Sequence, residues 1–351
     1  MAAVPASLLG IAERVERRLE ALVTAEATRW SALEPELAAP FASLRALVLS
    51  GGKRLRPAFC YWGWIGAGGD PAHPRIVDAG AAFELLHAFA LFHDDVMDGS
   101  ATRRGGRTTH LSFADRHAAS GWRGEARRFG EGVAILVGDL AFVYADDLLR
   151  GAPPAAWALW NELRIELNVG QYLDIVGTAR GERERAATER IARYKSGKYT
   201  VERPLHLGAA LAAPERCDLL PQLSAYGLPL GDAFQLRDDV LGAFGDEART
   251  GKPVGDDLRE GKPTPLLAVA TARATAPQRA LLDRVGRHDL TDDEVAALQR
   301  VLVDTGALAD LESTIDALAA EAVDALDTAD INDEARKELT QLAHYVAWRE
   351  N

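Results

Sequence analysis

The sequence predicts an all-α protein, and three observations carry that prediction. Hydrophobic residues make up 48% of the 351-residue chain but aromatics only 7%; Ala and Leu, which lose little freedom in a helix, supply much of the apolar fraction. Apolar residues recur at three- and four-residue steps along most of the chain, the spacing of a helix face. Gly and Pro clusters fall between those periodic segments and divide them.

Taken in order, residues 8–22 alternate an apolar stripe with charges, which predicts an amphipathic helix. Residues 77–96 and 133–149 are apolar nearly all round, as central helices are. Helices are also predicted over 159–176, 187–212, 219–244, 263–274, 277–286, 291–306, 307–328 and 333–348. Loops are predicted at 51–52, 66–74, 105–106, 151–154 and 251–255, with an Arg- and Gly-rich surface loop at 121–132. No low-complexity linker or fixed-period repeat interrupts the chain, so residues 1–351 are expected to form one helical domain.

Charge and cysteine content exclude several classes of function. With 52 acidic against 40 basic residues the net charge is −12, which disfavours nucleic acid as a partner. Two cysteines, Cys60 and Cys217, without CxxC spacing argue against a disulfide framework and fit a reducing cytoplasm. The N-terminus lacks the features of a signal peptide. The longest apolar tract, 77–92, is broken by Glu84 and His87 and reads as a buried core helix, not a membrane span.

The sharpest chemical feature is His93-Asp94-Asp95-Val96-Met97-Asp98. Asp94 and Asp98 stand four apart, so both carboxylates project from one helix face, with Asp95 alongside. Such like charges repel, and burial makes them costlier. A hard divalent cation such as Mg²⁺, which takes carboxylate and phosphate oxygens, resolves the conflict. A solvated acidic helix end is the competing reading, and a second cluster counts against it. Phe234-Gln235-Leu236-Arg237-Asp238-Asp239-Val240-Leu241 again sets an aspartate pair after apolar sequence, with Asp246 following. Two such clusters facing one another across a cavity would hold cations around one diphosphate.

Basic residues accompany both clusters. Lys53, Arg54 and Arg56 fall within four positions, Arg103 and Arg104 follow the first cluster, and Lys252 and Lys262 flank Asp256-Asp257. Arg suits phosphate through its planar donor fork and Lys as a compact charge. Any one pair reads as a surface ion pair; the set reads as a phosphate site.

Six segments carry a resemblance: GGKRLRP, ELLHAFALFHDDVMDGSATRRG, GQYLD, YKSGKYT, FQLRDDVLGAFGD and TGKPVGDDLREGKPT. In this order, over roughly residues 51–265, they resemble the trans-isoprenyl diphosphate synthases, the polyprenyl synthetase family. The resemblance implies an antiparallel helical bundle around a central cavity, the isoprenoid synthase type I fold. It implies head-to-tail (1′-4) condensation of isopentenyl diphosphate with dimethylallyl, geranyl or farnesyl diphosphate. Mg²⁺, three ions per active site, and a homodimer come with it.

Carried over residue by residue, it implies Asp94, Asp98 and Asp238 as principal metal ligands, with Asp95, Asp239 and Asp256 assisting. Arg103, Lys195 and Lys252 would hold the allylic diphosphate, with Lys262 near it. Lys53, Arg56, His87 and Arg104 would bind isopentenyl diphosphate. Gln171 and Asp174 match the family's GQxxD element, and Asp174 would support the metal or Lys195. Ser196 and Gln235, with the Lys195 carbonyl, resemble groups that stabilise a carbocation by their dipoles. Tyr199 reads as core. The one departure is Gly242, which stands where many members carry a third aspartate.

Product length is expected to depend on the helix before Asp94. Phe89 stands five positions ahead of it and Ala90 four ahead, a bulky and a small residue as in synthases of geranylgeranyl diphosphate (C20). Farnesyl or longer products are the alternative. A class I terpene cyclase would normally replace the second aspartate motif, and a non-catalytic synthase subunit would tend to lose acidic or basic ligands. Neither pattern matches this chain.

Overall fold

The computed structural model describes residues 4–245, 255–287 and 289–349. By its internal contacts the chain divides into two compact units. The first holds residues 6–61 and 71–152, and the second 62–70 and the chain from 153 onward. The described residues are helical apart from loops and one two-residue hairpin.

The first unit opens with α1 (Ala6–Ser31). Leu8, Ile11, Val15, Leu19 and Val23 form its buried stripe at three- and four-residue steps, and burying each aliphatic side chain contributes about 1.5–3 kcal/mol. Then come α2 (Ala38–Leu49), which buries Phe41, Leu44 and Val48, and α3 (Leu55–Gly66), whose residues from Trp62 on belong to the second unit. Next is α4 (Pro74–Met97), opened by Pro74 and by the His73 ring accepting from the Arg75 amide.

In length and composition α4 does reach the range of a membrane span, against the sequence expectation, but 61% of its apolar window is buried inside the protein. It is therefore a core helix: Ala79, Ala82, Phe83, Leu85 and Leu86 are all fully buried. After the hairpin of Thr102–Arg103 and Gly106–Arg107 come α5 (Thr109–Ala119) and α6 (Ala126–Leu148). Residues 126–132, expected in a loop, are the first two turns of α6. Gly130 explains the difference, because a Cβ there would lie 1.9 Å from the His110 carbonyl; it is a close-packing glycine, not a loop glycine.

The second unit begins with α7 (Pro154–Arg180), ended by Gly181 in the left-handed conformation (φ 63°). The helix expected over 187–212 is instead three consecutive pieces: α8 (Arg185–Ala192), a ten-residue π-helical segment Arg193–Glu202, and α9 (Arg203–Ala212). Pro204 lies within what would be one continuous helix. It has no N–H for the preceding turn and its ring crowds the carbonyl four residues back, so the wider π winding fits where α winding would clash.

At the centre lies α10 (Leu219–Phe244), with the bounds the sequence predicts despite Pro229 inside it. Beyond it are α11 (Asp256–Glu260), α12 (Pro265–Arg273), α13 (Ala276–Leu282), α14 (Asp292–Asp304), α15 (Ala307–Ala325) and α16 (Asp333–Ala347). Ala233, Leu236 and Val240 of α10 pack with Leu266, Leu298, Leu302, Leu311 and Ile315 in one apolar cluster. Thr275 with Gln278 and Thr291 with Glu294 form capping boxes that fix two helix starts.

Candidate active site

In the first unit the aspartate cluster sits at the end of α4. Asp98 is its C-cap residue, and its amide donates to the Asp94 carbonyl at 2.8 Å. Asp95 is 4% exposed and accepts from Arg103 at 2.8 Å (Nε) and 2.5 Å (Nη2). Burial pushes the Asp95 carboxyl above its ordinary range, Arg103 opposes that shift, and neighbouring Asp94 adds to it.

Arg103 is delivered by the hairpin, whose strands pair Thr102 with Arg107 and Arg103 with Gly106. The connecting residues Arg104 and Gly105 both have positive φ, 52° and 74°, the signature of a type I′ turn. A non-glycine in that conformation is strained, and the Arg104 guanidinium offsets the cost with three hydrogen bonds. Its Nη1 donates to the Leu47 carbonyl at 3.1 Å, to Ser50 Oγ at 2.8 Å and to the Gly51 carbonyl at 2.7 Å. Arg104 thereby ties down the loop that carries Lys53.

Arg54, also at positive φ (49°), turns inward. It pairs with Glu84 of α4 and with Glu16 of α1 at 3.1 Å, and donates to the Val48 carbonyl at 2.7 Å. Its role in the basic run is structural. His87, one turn beyond Glu84, is held well below its ordinary pKa by burial and then by Arg56, Arg104, Arg103 and Arg54. Arginines that disfavour a proton on His87 would equally favour an anion beside it. Arg56 and Arg104, two of the residues the resemblance sets beside His87, act on its charge, as do Arg103 and Arg54. Phe89 points to α6, its ring 4.6 Å from His93 and 4.8 Å from Phe142, centre to centre. Ala90 follows it on the same helix.

In the second unit the site is built from α7, the π-helical segment, α10 and α11. Lys195 donates from Nζ to Asp174 at 2.6 Å. The approach depends on Gly170, where a Cβ would lie 2.3 Å from the Lys195 amide nitrogen. Ser196 follows Lys195 on the same segment, while Tyr199 is 3% exposed and belongs to the core. The segment is braced from below by Glu166, which pairs with Lys198 and takes both arms of Arg203, at 2.7 Å (Nε) and 2.6 Å (Nη2).

On α10, Gln235 donates from Nε2 to Oδ1 of Asp239 at 2.8 Å. The other oxygen of Asp239 is buried without a hydrogen-bond partner among the described residues. Burial drives the Asp239 carboxyl far above its ordinary pKa, and the carboxylates of Asp257, Asp238 and Asp174 push it the same way. The donor set is all oxygen and fits a hard divalent cation.

Gly242, the departure from the aspartate pattern, proves to be a space-making residue. A Cβ there would lie 1.9 Å from Asp257 Oδ2. The carboxylate of Asp257 on α11 takes the room that a third α10 aspartate would occupy. Sequence reasoning passed over Asp257 in favour of Asp256; its signal was the glycine itself. Asp256 opens α11, and Lys262 lies 2.7 Å from Glu260. Lys252 and Asp246 lie outside the described residues. Among the described residues no three His, Cys, Asp or Glu side chains already converge on one ion-sized site.

Comparison with known proteins gives a uniform picture. The family model for polyprenyl synthetase matches residues 40–302. A geranylfarnesyl diphosphate synthase of Aeropyrum pernix is 32% identical over 305 residues, 84% of this chain and 89% of that one. A geranylgeranyl diphosphate synthase of Sulfolobus acidocaldarius is 35% identical over 260 residues, 71% of this chain and 72% of that one. Among solved structures, geranylgeranyl pyrophosphate synthase from Corynebacterium glutamicum, complexed with isoprenyl diphosphate and magnesium, superposes with a TM-score of 0.92. It is 37% identical, with 97% of this chain and 99% of that one covered.

Proposed function

The chain belongs to the polyprenyl synthetase family and is a prenyltransferase that elongates prenyl diphosphates, and we propose that it condenses isopentenyl diphosphate with allylic diphosphates up to geranylgeranyl diphosphate (C20). The observation that carries the reading is the family match over residues 40–302, together with the second carboxylate oxygen of Asp239, buried without a hydrogen-bond partner among the described residues. Asp94, Asp98 and Asp238, assisted by Asp95, Asp239, Asp256 and now Asp257, would hold Mg²⁺, three ions per site, with waters and substrate phosphate completing the coordination. Bound there, Mg²⁺ supplies Lewis-acid stabilisation of a departing diphosphate.

The protein's own groups do the rest. Arg103 and Lys195, with Lys252 and Lys262, hold the allylic diphosphate and stabilise the charge that grows on it. Lys53, Arg56 and Arg104 hold isopentenyl diphosphate beside the neutral His87, keeping its double bond in reach of the allylic carbon. Ser196 and Gln235 turn their dipoles toward the carbocation, and Phe89, next to Ala90, closes the path of the growing chain. The chain works as one catalytic domain in a reducing cytoplasm.

We further propose a homodimer. On α7 the side chains of Ile165, Val169, Tyr172 and Ile175 are exposed at three- and four-residue steps, an apolar stripe suited to a second copy of the chain. The direct test of function is to incubate the purified protein with Mg²⁺, isopentenyl diphosphate and each allylic primer in turn, then size the products by mass spectrometry. A C20 product that disappears with chelator supports the reading; no condensation with any primer refutes it.

A further inference from the structure

The C-terminal end of the chain locks onto the helix that carries the second aspartate pair. Arg237, inside that motif, donates from Nε to the Ala347 carbonyl at 2.8 Å and from both Nη atoms to Glu312 at 2.7 and 2.6 Å. In return Arg349, just beyond α16, reaches into α10. Its Nη2 donates to the Phe234 carbonyl at 3.1 Å and to Oδ1 of Asp238, and its Nη1 to the Val346 carbonyl at 2.9 Å. The guanidinium also lies 4.2 Å from the centre of the Phe234 ring.

The Arg349 side chain is 0% exposed, and Asp238 is its carboxylate partner among the described residues. The Asp238 side chain, by contrast, is 40% exposed, so a solute can reach it. A buried guanidinium with one counter-anion does not release that anion cheaply. Asp238 therefore keeps Oδ1 on Arg349 and offers Oδ2 to a metal ion.

Arg349 acts on such an ion in two opposing ways. Holding the carboxylate in one rotamer helps, by no more than the entropy of one short side chain. A fixed positive charge on the far side of the same carboxylate repels a divalent ion with twice the unit-charge Coulomb energy, and with little screening because the arginine is out of solvent. The repulsion is the larger effect.

We propose that Arg349 is a built-in counter-cation of Asp238 that weakens this position for a free divalent ion, so that the ion is held firmly only when a bound phosphate group adds negative charge. The inference rests on the reading of Asp238 as a metal ligand. The test is titration of the full-length, substrate-free protein with Mn²⁺, followed by electron paramagnetic resonance, and repeated with inorganic diphosphate present. Arg349→Gln, which keeps a donor, and Arg349→Met should each bind free Mn²⁺ about tenfold more tightly than the parent. Arg349→Lys should match the parent, and diphosphate should narrow the differences. Gln and Met variants that fold, by circular dichroism, yet bind Mn²⁺ no more tightly overturn the counter-cation role, as does equal tightening in Arg349→Lys. Asp238→Asn separates the two layers: if, with diphosphate present, it binds Mn²⁺ like the parent, the metal assignment itself fails.

Discussion

Replacing Gly170 with Ala probes how the Lys195 region is held. The added Cβ would stand 2.3 Å from the Lys195 nitrogen, 2.5 Å from the Tyr194 carbonyl carbon and 2.6 Å from the Lys195 Cα. All three are backbone atoms, so no side chain can swing away, and α7 and the π-helical segment must separate by about 1 Å to restore ordinary contact. Overpacking of this kind costs roughly 1–3 kcal/mol, and the better helix propensity of Ala returns up to about 1 kcal/mol. A net loss near 1 kcal/mol, against an unfolding entropy of about 0.7 kcal/mol/K for a chain of this length, lowers Tm by roughly 1.5 °C. Displacing Lys195 by that distance should cut kcat/KM about 100-fold. Scanning calorimetry and a condensation assay read both effects. Gly10→Ala is the control, because a Cβ there meets nothing within 4 Å, and it should stabilise α1 by up to about 1 kcal/mol. A Gly170→Ala protein with the parent's Tm and turnover would refute the close-approach account.

Other outcomes follow from the same structure. Asp94→Asn and Asp238→Asn should each lower condensation by about 10³-fold or more with unchanged circular dichroism; near-normal turnover in either would remove that residue from the metal set. Phe89→Ala should lengthen the product by at least one isoprene unit by mass spectrometry, whereas an unchanged profile would clear Phe89 of the role. Light scattering should find the parent at the mass of the proposed dimer and Val169→Glu with Tyr172→Glu at that of a monomer; a monomeric parent would refute the dimer, and a dimeric variant would place the interface elsewhere. His206, lowered by burial to about 4, binds no proton in the folded protein between there and its ordinary value, while the unfolded chain does. Its contribution to stability is complete above pH 6.5 and is lost as pH falls toward 4, by about 3 kcal/mol in all. In urea unfolding His206→Gln should flatten that limb, and an equally steep limb would assign it to other groups.

Helices announced by a long apolar period were legible in the sequence: α10 was read to the residue, and α4 and α14–α16 within a few positions. What escaped reading is what three-dimensional packing decides. The π winding at 193–202 answers to Pro204 and to the Gly170 contact, neither of which breaks the apolar period of the surrounding helix. Residues 126–132 read as loop because a glycine needed for contact with α5 looks the same in sequence as one needed for a turn. At the site, the carboxylates and cations were visible as types, but their allegiances were not. Nothing in GGKRLRP says that Arg54 turns inward to Glu84, and nothing near the chain's end says that Arg349 closes on Asp238. Gly242 read as a missing ligand, and the structure shows it making room for Asp257.

The proposed function requires both aspartate clusters to serve one magnesium-bound diphosphate. Calorimetric titration of the protein with a non-hydrolysable allylic thiolodiphosphate, with and without Mg²⁺, tests this directly. Metal-dependent binding should be strong in the parent and should fall about 100-fold or more in Asp94→Asn and in Asp238→Asn alike. Binding at parental affinity in either variant would contradict it.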